Sequence, residues 1–182
     1  MKTGKKKCGL VLVAAFAVLA GSASGQEITR LGQEGQALYG ATHRVRFTYR
    51  DFTTSTTNTA QTFNVPVSAR SFVSVPFMRL LETFDTADTN HTSAVVLRVG
   101  DAGTTDRFLS DTELADDGTT IWLKTGRIVY NTGQATNTVL ADGVAAYATA
   151  TNVTFRFTPD ANQALNASVQ GAVEVYLRVL DR

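Results

Sequence analysis

Beyond its first 25 residues the chain contains no cysteine, since the single Cys8 sits at the N-terminal end. No disulfide can staple the remainder, and a thiol nucleophile and a cysteine-ligated metal are both excluded. Histidine is nearly as scarce, with only His43 and His91, too few for a multi-histidine zinc site. Lysine vanishes as well: after Lys7 only Lys124 remains. Four of the 17 basic residues, Lys2, Lys5, Lys6 and Lys7, fall in the first segment, leaving 13 against 16 acidic residues and a net charge of −3. With no basic stripe to neutralise phosphates, nucleic acid is not an expected partner. Long apolar runs are also missing: the longest, Leu10 to Ala20, falls short of the about 20 residues a stable membrane span requires.

What is present at the N-terminus is a secretory layout. Lys5-Lys6-Lys7 is followed by that apolar run and then by Gly21-Ser22-Ala23-Ser24-Gly25, the basic, apolar and small-residue parts of a signal peptide. Residues 1–25 are read as this leader, with cleavage after Gly25 favoured over cleavage after Ala23. The 157 residues from Gln26 onward suit a single domain with a sizeable core. Stability without disulfides then rests on that core or on association between copies. Residues 26–42, with few large apolar side chains, read as an N-terminal arm or linker.

From His43 to Arg182 the pattern is that of an all-β domain, rich in threonine, valine and phenylalanine, with turn residues between alternating runs. Val45, Phe47 and Tyr49 alternate with Arg46, Thr48 and Arg50, as in a half-buried strand. Thr53–Thr59 reads as a loop. A strand starts at Thr62, and Pro66 confines it to an edge or an end. Ser71–Phe84 is one long strand bent at Pro76, or two strands. Further strands are expected at Ala94–Val99, at Thr120–Leu123 around Trp122, at Val153–Phe157 and at Val173–Val179. Pro159–Gly171 reads as a connection with one helical turn near Asn162–Leu165. The spacing points to a single jelly-roll-like β-sandwich.

The most distinctive segment is Val99-Gly100-Asp101-Ala102-Gly103-Thr104-Thr105-Asp106-Arg107-Phe108-Leu109. Its glycines and aspartates describe a turn in which aspartate caps its own backbone and Arg107 pairs with a nearby aspartate. The alternative is a calcium loop using Asp101 and Asp106, with Asp111, Asp116 or Asp117 as further candidates, although the closely spaced acids of a helix-loop-helix calcium site are absent. No Gly-x-Ser-x-Gly elbow marks a serine nucleophile. Glu82, Asp85, Glu113 and Glu174 offer carboxylates, but nothing in their spacing selects a glycosidase pair. Trp122 and Tyr130, with Tyr49, Tyr147 and Tyr176, are candidates for an assembly or sugar-stacking surface, or for core. No enzyme activity and no cofactor are expected.

The order Phe52-Thr53-Thr54, Ala60-Gln61-Thr62, Leu80-Leu81-Glu82-Thr83-Phe84-Asp85, Val99-Gly100-Asp101 with Asp106-Arg107-Phe108-Leu109, and Gly171-Ala172-Val173-Glu174-Val175-Tyr176-Leu177 resembles a group of small bacteriophage virion proteins. The resemblance runs loosely over residues 45–180 and is most specific in the Val-Gly-Asp to Asp-Arg-Phe segment. It implies a non-enzymatic structural protein of the virion surface, a capsid decoration or fibre-associated β-sandwich. The implied partners are copies of itself, as a trimer, and capsid or fibre proteins. The leader departs from that pattern, because virion proteins assemble in the cytoplasm. Either the apolar N-terminus serves as an assembly arm or membrane contact, or the alternative holds, an exported bacterial cell-surface or carbohydrate-binding β-sandwich. The expected location is accordingly extracellular if the leader is cleaved and the virion surface if the phage resemblance holds.

Overall fold

A computed structural model of the chain describes residues 25–86, 95–114, 128–130, 144–159 and 161–181. Alternation translates into strands wherever it is regular. In β2 (His43–Thr48) Val45 and Phe47 are wholly buried while Arg44, Arg46 and Thr48 lie on the other face. In β9 (Thr151–Pro159) Val153, Phe155 and Phe157 do the same. The remaining strands are β1 (Glu27–Arg30), β3 (Gln61–Val67), β4 (Ser71–Thr86), β5 (Val95–Gly100), β6 (Leu109–Glu113), β7 (Ile128–Tyr130), β8 (Ala145–Tyr147) and β10 (Ser168–Asp181). One helix, α1 (Gln33–Tyr39), and two 3-10 turns, Tyr49–Asp51 and Leu165–Ala167, complete the described elements.

The strands form two antiparallel sheets, an all-β sandwich. One runs β1-β2-β10-β4-β7, with β8 also paired to β4, and the other β3-β9-β5-β6. The neighbours β5 and β6 pair across a short turn, whereas β2 with β10, β3 with β9, β4 with β7, β8 and β10, and β5 with β9 are pairings between strands farther apart in sequence. The inner faces meet in a core dominated by phenylalanine. Phe47 of one sheet lies 5.0 Å from both Phe155 and Phe157 and 5.2 Å from Phe63, all on the other sheet. Phe52, just after the first 3-10 turn, and Phe84 of β4 extend the cluster, both packing on Phe157.

Prolines sit where a missing N–H is tolerated. Pro66 is on β3, an edge strand. Pro76 is inside β4, which is one strand rather than two; between Ser74 and Phe77 the register against β10 shifts by one residue. That bulge absorbs the proline and lets Met78 and Leu80 continue facing the core.

Two expectations need correction. Residues 26–42 contain a strand and a helix docked on the sandwich, because main-chain pairing of β1 with β2 does not depend on large side chains. The connection after Pro159 is shorter than expected: its helical turn is at Leu165–Ala167 and β10 begins at Ser168. Register shifts at Ser168/Gln170 and Gln170/Ala172 conceal the alternation there. On β10, Glu174 and Tyr176 alternate with the inward-facing Val173, Val175 and Leu177 and are themselves buried, so the strand is covered on both faces. The strand expected at Thr120–Leu123 lies outside the described residues. Among those described, no helix is long and apolar enough to cross a membrane.

Truncating the centre of the aromatic cluster should therefore dominate stability. Phe157→Ala is expected to cost about 3–5 kcal/mol, while Arg156→Ala on the exposed side of the same strand should stay within about 0.5 kcal/mol. Urea midpoints of the two variants check this.

Candidate functional site

The turn joining β5 to β6 is built around Asp101. Its Oδ1 accepts hydrogen bonds from the backbone N–H of Gly103 and of Thr104, each at 2.8 Å, so the aspartate caps its own loop as the spacing implied. The Asp101 N–H in turn donates to the Thr104 carbonyl at 2.9 Å. Gly100 is required because the loop folds directly over it: a Cβ there would lie 2.2 Å from the Thr105 carbonyl carbon.

The second carboxylate oxygen looks out of the loop. Oδ2 accepts from Arg107 Nε at 2.5 Å and from the Tyr147 hydroxyl at 2.6 Å. Asp101 belongs to one sheet and Tyr147, on β8, to the other, so this bond ties the two sheets along one side of the sandwich. On the opposite side Gln26 Nε2 donates to the Asn64 carbonyl of edge strand β3 at 3.1 Å. Each side of the sandwich thus carries a polar tie.

The Asp101 side chain is only 4% exposed. Burial alone would raise its pKa, but the bonds from Tyr147, Thr104, Arg107 and Gly103 outweigh burial and hold it below the ordinary 3.8. Tyr147 is driven the other way, first by burial and then by the adjacent carboxylate, so its phenol stays protonated and donating. With four donors in place, the arrangement is a structural latch. A calcium ion at Asp101 would have to displace Arg107 or Tyr147, and among the described residues no three His, Cys, Asp or Glu side chains converge to hold a metal. The charge of Asp106, the partner expected for calcium, acts on Arg98. Arg98 pairs instead with Asp111, at 2.7 Å and 2.5 Å through its two nitrogens. An open hollow flanks the latch, lined by Asp101, Gly103, Arg107, Ala146, Tyr147 and Thr151 among others.

A second cluster lies on the outer face of the larger sheet. Tyr176 stacks on Phe77 with ring centres 4.2 Å apart, and Tyr39 of α1 closes over both at 5.1 and 5.8 Å. The Tyr176 hydroxyl donates to Glu174 at 3.0 Å, and Arg44 approaches the same carboxylate at 3.4 Å. Burial, then the Glu174 bond, push the Tyr176 phenol up to about 12. Above this cluster α1 leaves Leu38 75% exposed.

Of the other candidates, Trp122, His91, Asp116 and Asp117 lie outside the described residues. Tyr130 is placed by its backbone opposite Phe77, and its side chain is outside the description. His43 stands at the start of β2, its pKa lowered by burial and by Arg30 against an opposing effect of Asp181. Glu82 accepts from the Gly171 N–H at 3.3 Å. Sequence reading missed the Asp101–Tyr147 tie because 46 residues separate the partners, and it missed the Tyr39–Phe77–Tyr176 stack because the stack requires α1. No protein-family model, curated protein or solved structure matches the chain.

Tyr147→Phe should cost about 1–3 kcal/mol by leaving the buried carboxylate one donor short. Asp101 has a depressed pKa, so its stabilisation is complete above 3.8 and is lost as pH falls through its lower folded value. Asp101→Asn should therefore be markedly less stable than the unsubstituted chain at pH 7, with the gap closing in strong acid. Thermal unfolding of both proteins across pH checks the sign.

Proposed function

We propose that the chain is a non-enzymatic assembly protein, a jelly-roll-like sandwich that takes a place in a surface layer. The observation that carries this reading is the pairing of β2 with β10, β3 with β9, β4 with β7 and β8, and β5 with β6, read as one long hairpin rolled over itself. That arrangement is used for capsid and lectin domains, where the two sheets bury each other and the connecting loops are free to vary. The carboxylate best placed to act chemically, Asp101, is saturated by donors that fix the fold. The exposed Leu38 beside Tyr39 supplies an apolar contact on the larger sheet's outer face.

In the first setting the layer is a virion surface and the chain a capsid decoration or fibre-associated protein, in keeping with the phage resemblance. The specific observation favouring a second setting, an exported bacterial surface protein, is the leader. In both settings contact with other copies covers apolar surface that a monomer leaves in water. Carbohydrate binding through Trp122 or Tyr130 is the variant of the second setting that a glycan array detects, with binding lost in Trp122→Ala or Tyr130→Ala.

Density-gradient fractionation of the source material, with the chain identified by mass spectrometry, separates these readings from an enzymatic one. The chain is expected to travel with particles or with the cell envelope. A chain confined to the soluble fraction that turns over polysaccharides or esters would contradict the assembly reading.

A further inference from the structure

Asp51 is 8% exposed. Its Oδ2 accepts from the Thr48 N–H at 2.7 Å and from the Thr48 hydroxyl at 3.2 Å, whereas among the described residues nothing donates to Oδ1. That oxygen faces Gly25: a Cβ on residue 25 would lie 2.0 Å from it, so the backbone passes against the carboxylate and no side chain fits between them. The next residue is fixed in place. Gln26 is 8% exposed, its Nε2 is bonded to Asn64, and its own Oε1 is buried with no donor. An anionic acceptor, Asp51 Oδ1, to which no described residue donates, therefore lies against the backbone of the Gly25–Gln26 junction. A protonated amine, with three donors and a full positive charge, is the group that complements it.

The sequence provides a way to make that amine. The small-residue stretch of the leader ends at Gly25, with Ala23 two positions before it. We infer that an export peptidase cuts between Gly25 and Gln26 and that the new terminal ammonium of Gln26 pairs with Asp51. Hydrolysis adds one water across the peptide bond. The hydroxyl goes to the Gly25 carbonyl carbon, which leaves with the leader as a carboxylate; the nitrogen of Gln26 gains a hydrogen and takes up the acid proton. Cleavage then does two things: it releases the chain from the export machinery and completes the polar tie on the β1–β3 side. The inference rests on the leader, and so on the exported setting, but not on assembly.

The test is to express the full chain in a cell that exports it and to read the intact mass of the purified product. The expected product runs from Gln26 to Arg182 with a free terminus. A chain that keeps the leader, one that starts at Ser24, or one lighter by a molecule of ammonia through cyclisation of Gln26 would overturn the inference. The terminal amine is easy to follow, because Lys124 is the only other amine in that product. Pairing with Asp51 should raise its titration by about one unit above the ordinary value of about 7.7–8.0, read from the pH dependence of its acylation. An unshifted or lowered value would contradict the pairing. Asp51→Asn should speed acylation of the terminus about tenfold relative to Lys124 at fixed pH, and an unchanged ratio would count against the inference. If Asp51→Asn does not fold, the titration of the unsubstituted protein decides. A retained leader overturns this inference and leaves the assembly reading intact, whereas a monomeric, correctly trimmed protein does the reverse.

Discussion

The fold depends on the packing of Phe47 from one sheet into Phe63, Phe155 and Phe157 of the other. No cysteine is available after Cys8 to staple the sheets, so their adhesion has to come from apolar area and from the geometry of tilted and edge-on rings. The cluster draws on strands of both sheets, Phe47 of β2 and Phe84 of β4 from one and Phe63 of β3 with Phe155 and Phe157 of β9 from the other. Phe52, just after the first 3-10 turn, packs on Phe157 as well and ties that connection to the same cluster.

Around this apolar centre, polar bonds decide which edges meet. The Asp101 carboxylate gathers its own loop with one oxygen and the opposite sheet, through Tyr147, with the other. On the far side Gln26 occupies a carbonyl of β3 that would otherwise be open to another strand, and Pro66 further blunts that edge. These ties use charged and polar groups for alignment, since a buried carboxylate contributes specificity through being fully satisfied rather than through raw attraction. A sandwich closed in this way can expose a limited apolar contact such as Leu38 without inviting strand-to-strand aggregation.

Much of the architecture was legible because alternation is a local signal. Val45–Phe47 and Val153–Phe157 announced their strands, Pro66 announced an edge, and Gly100-Asp101 announced a turn with Arg107 paired to an aspartate. The failures share one cause, which is dependence on distant partners. β10 begins five residues earlier than its regular alternation, because bulges against β4 break the period. Nothing local to Glu174 and Tyr176 shows that Arg44 and Tyr39 are brought to them. Tyr147 reads as one more aromatic until the pairing of the strands carries it to Asp101. Likewise the role of Asp51 becomes visible only when Gly25 is seen against it.

The proposed role requires that the sandwich associate, with Leu38 and Tyr39 on the outer face of the larger sheet meeting other copies. Native mass spectrometry of the purified protein at about micromolar concentration, well below the roughly millimolar dissociation constants of weak encounters, tests this directly. The proposal predicts a trimer or larger closed assembly, dissociated by a charge placed at Leu38. A chain that remains monomeric, and is indifferent to Leu38→Asp, would contradict it.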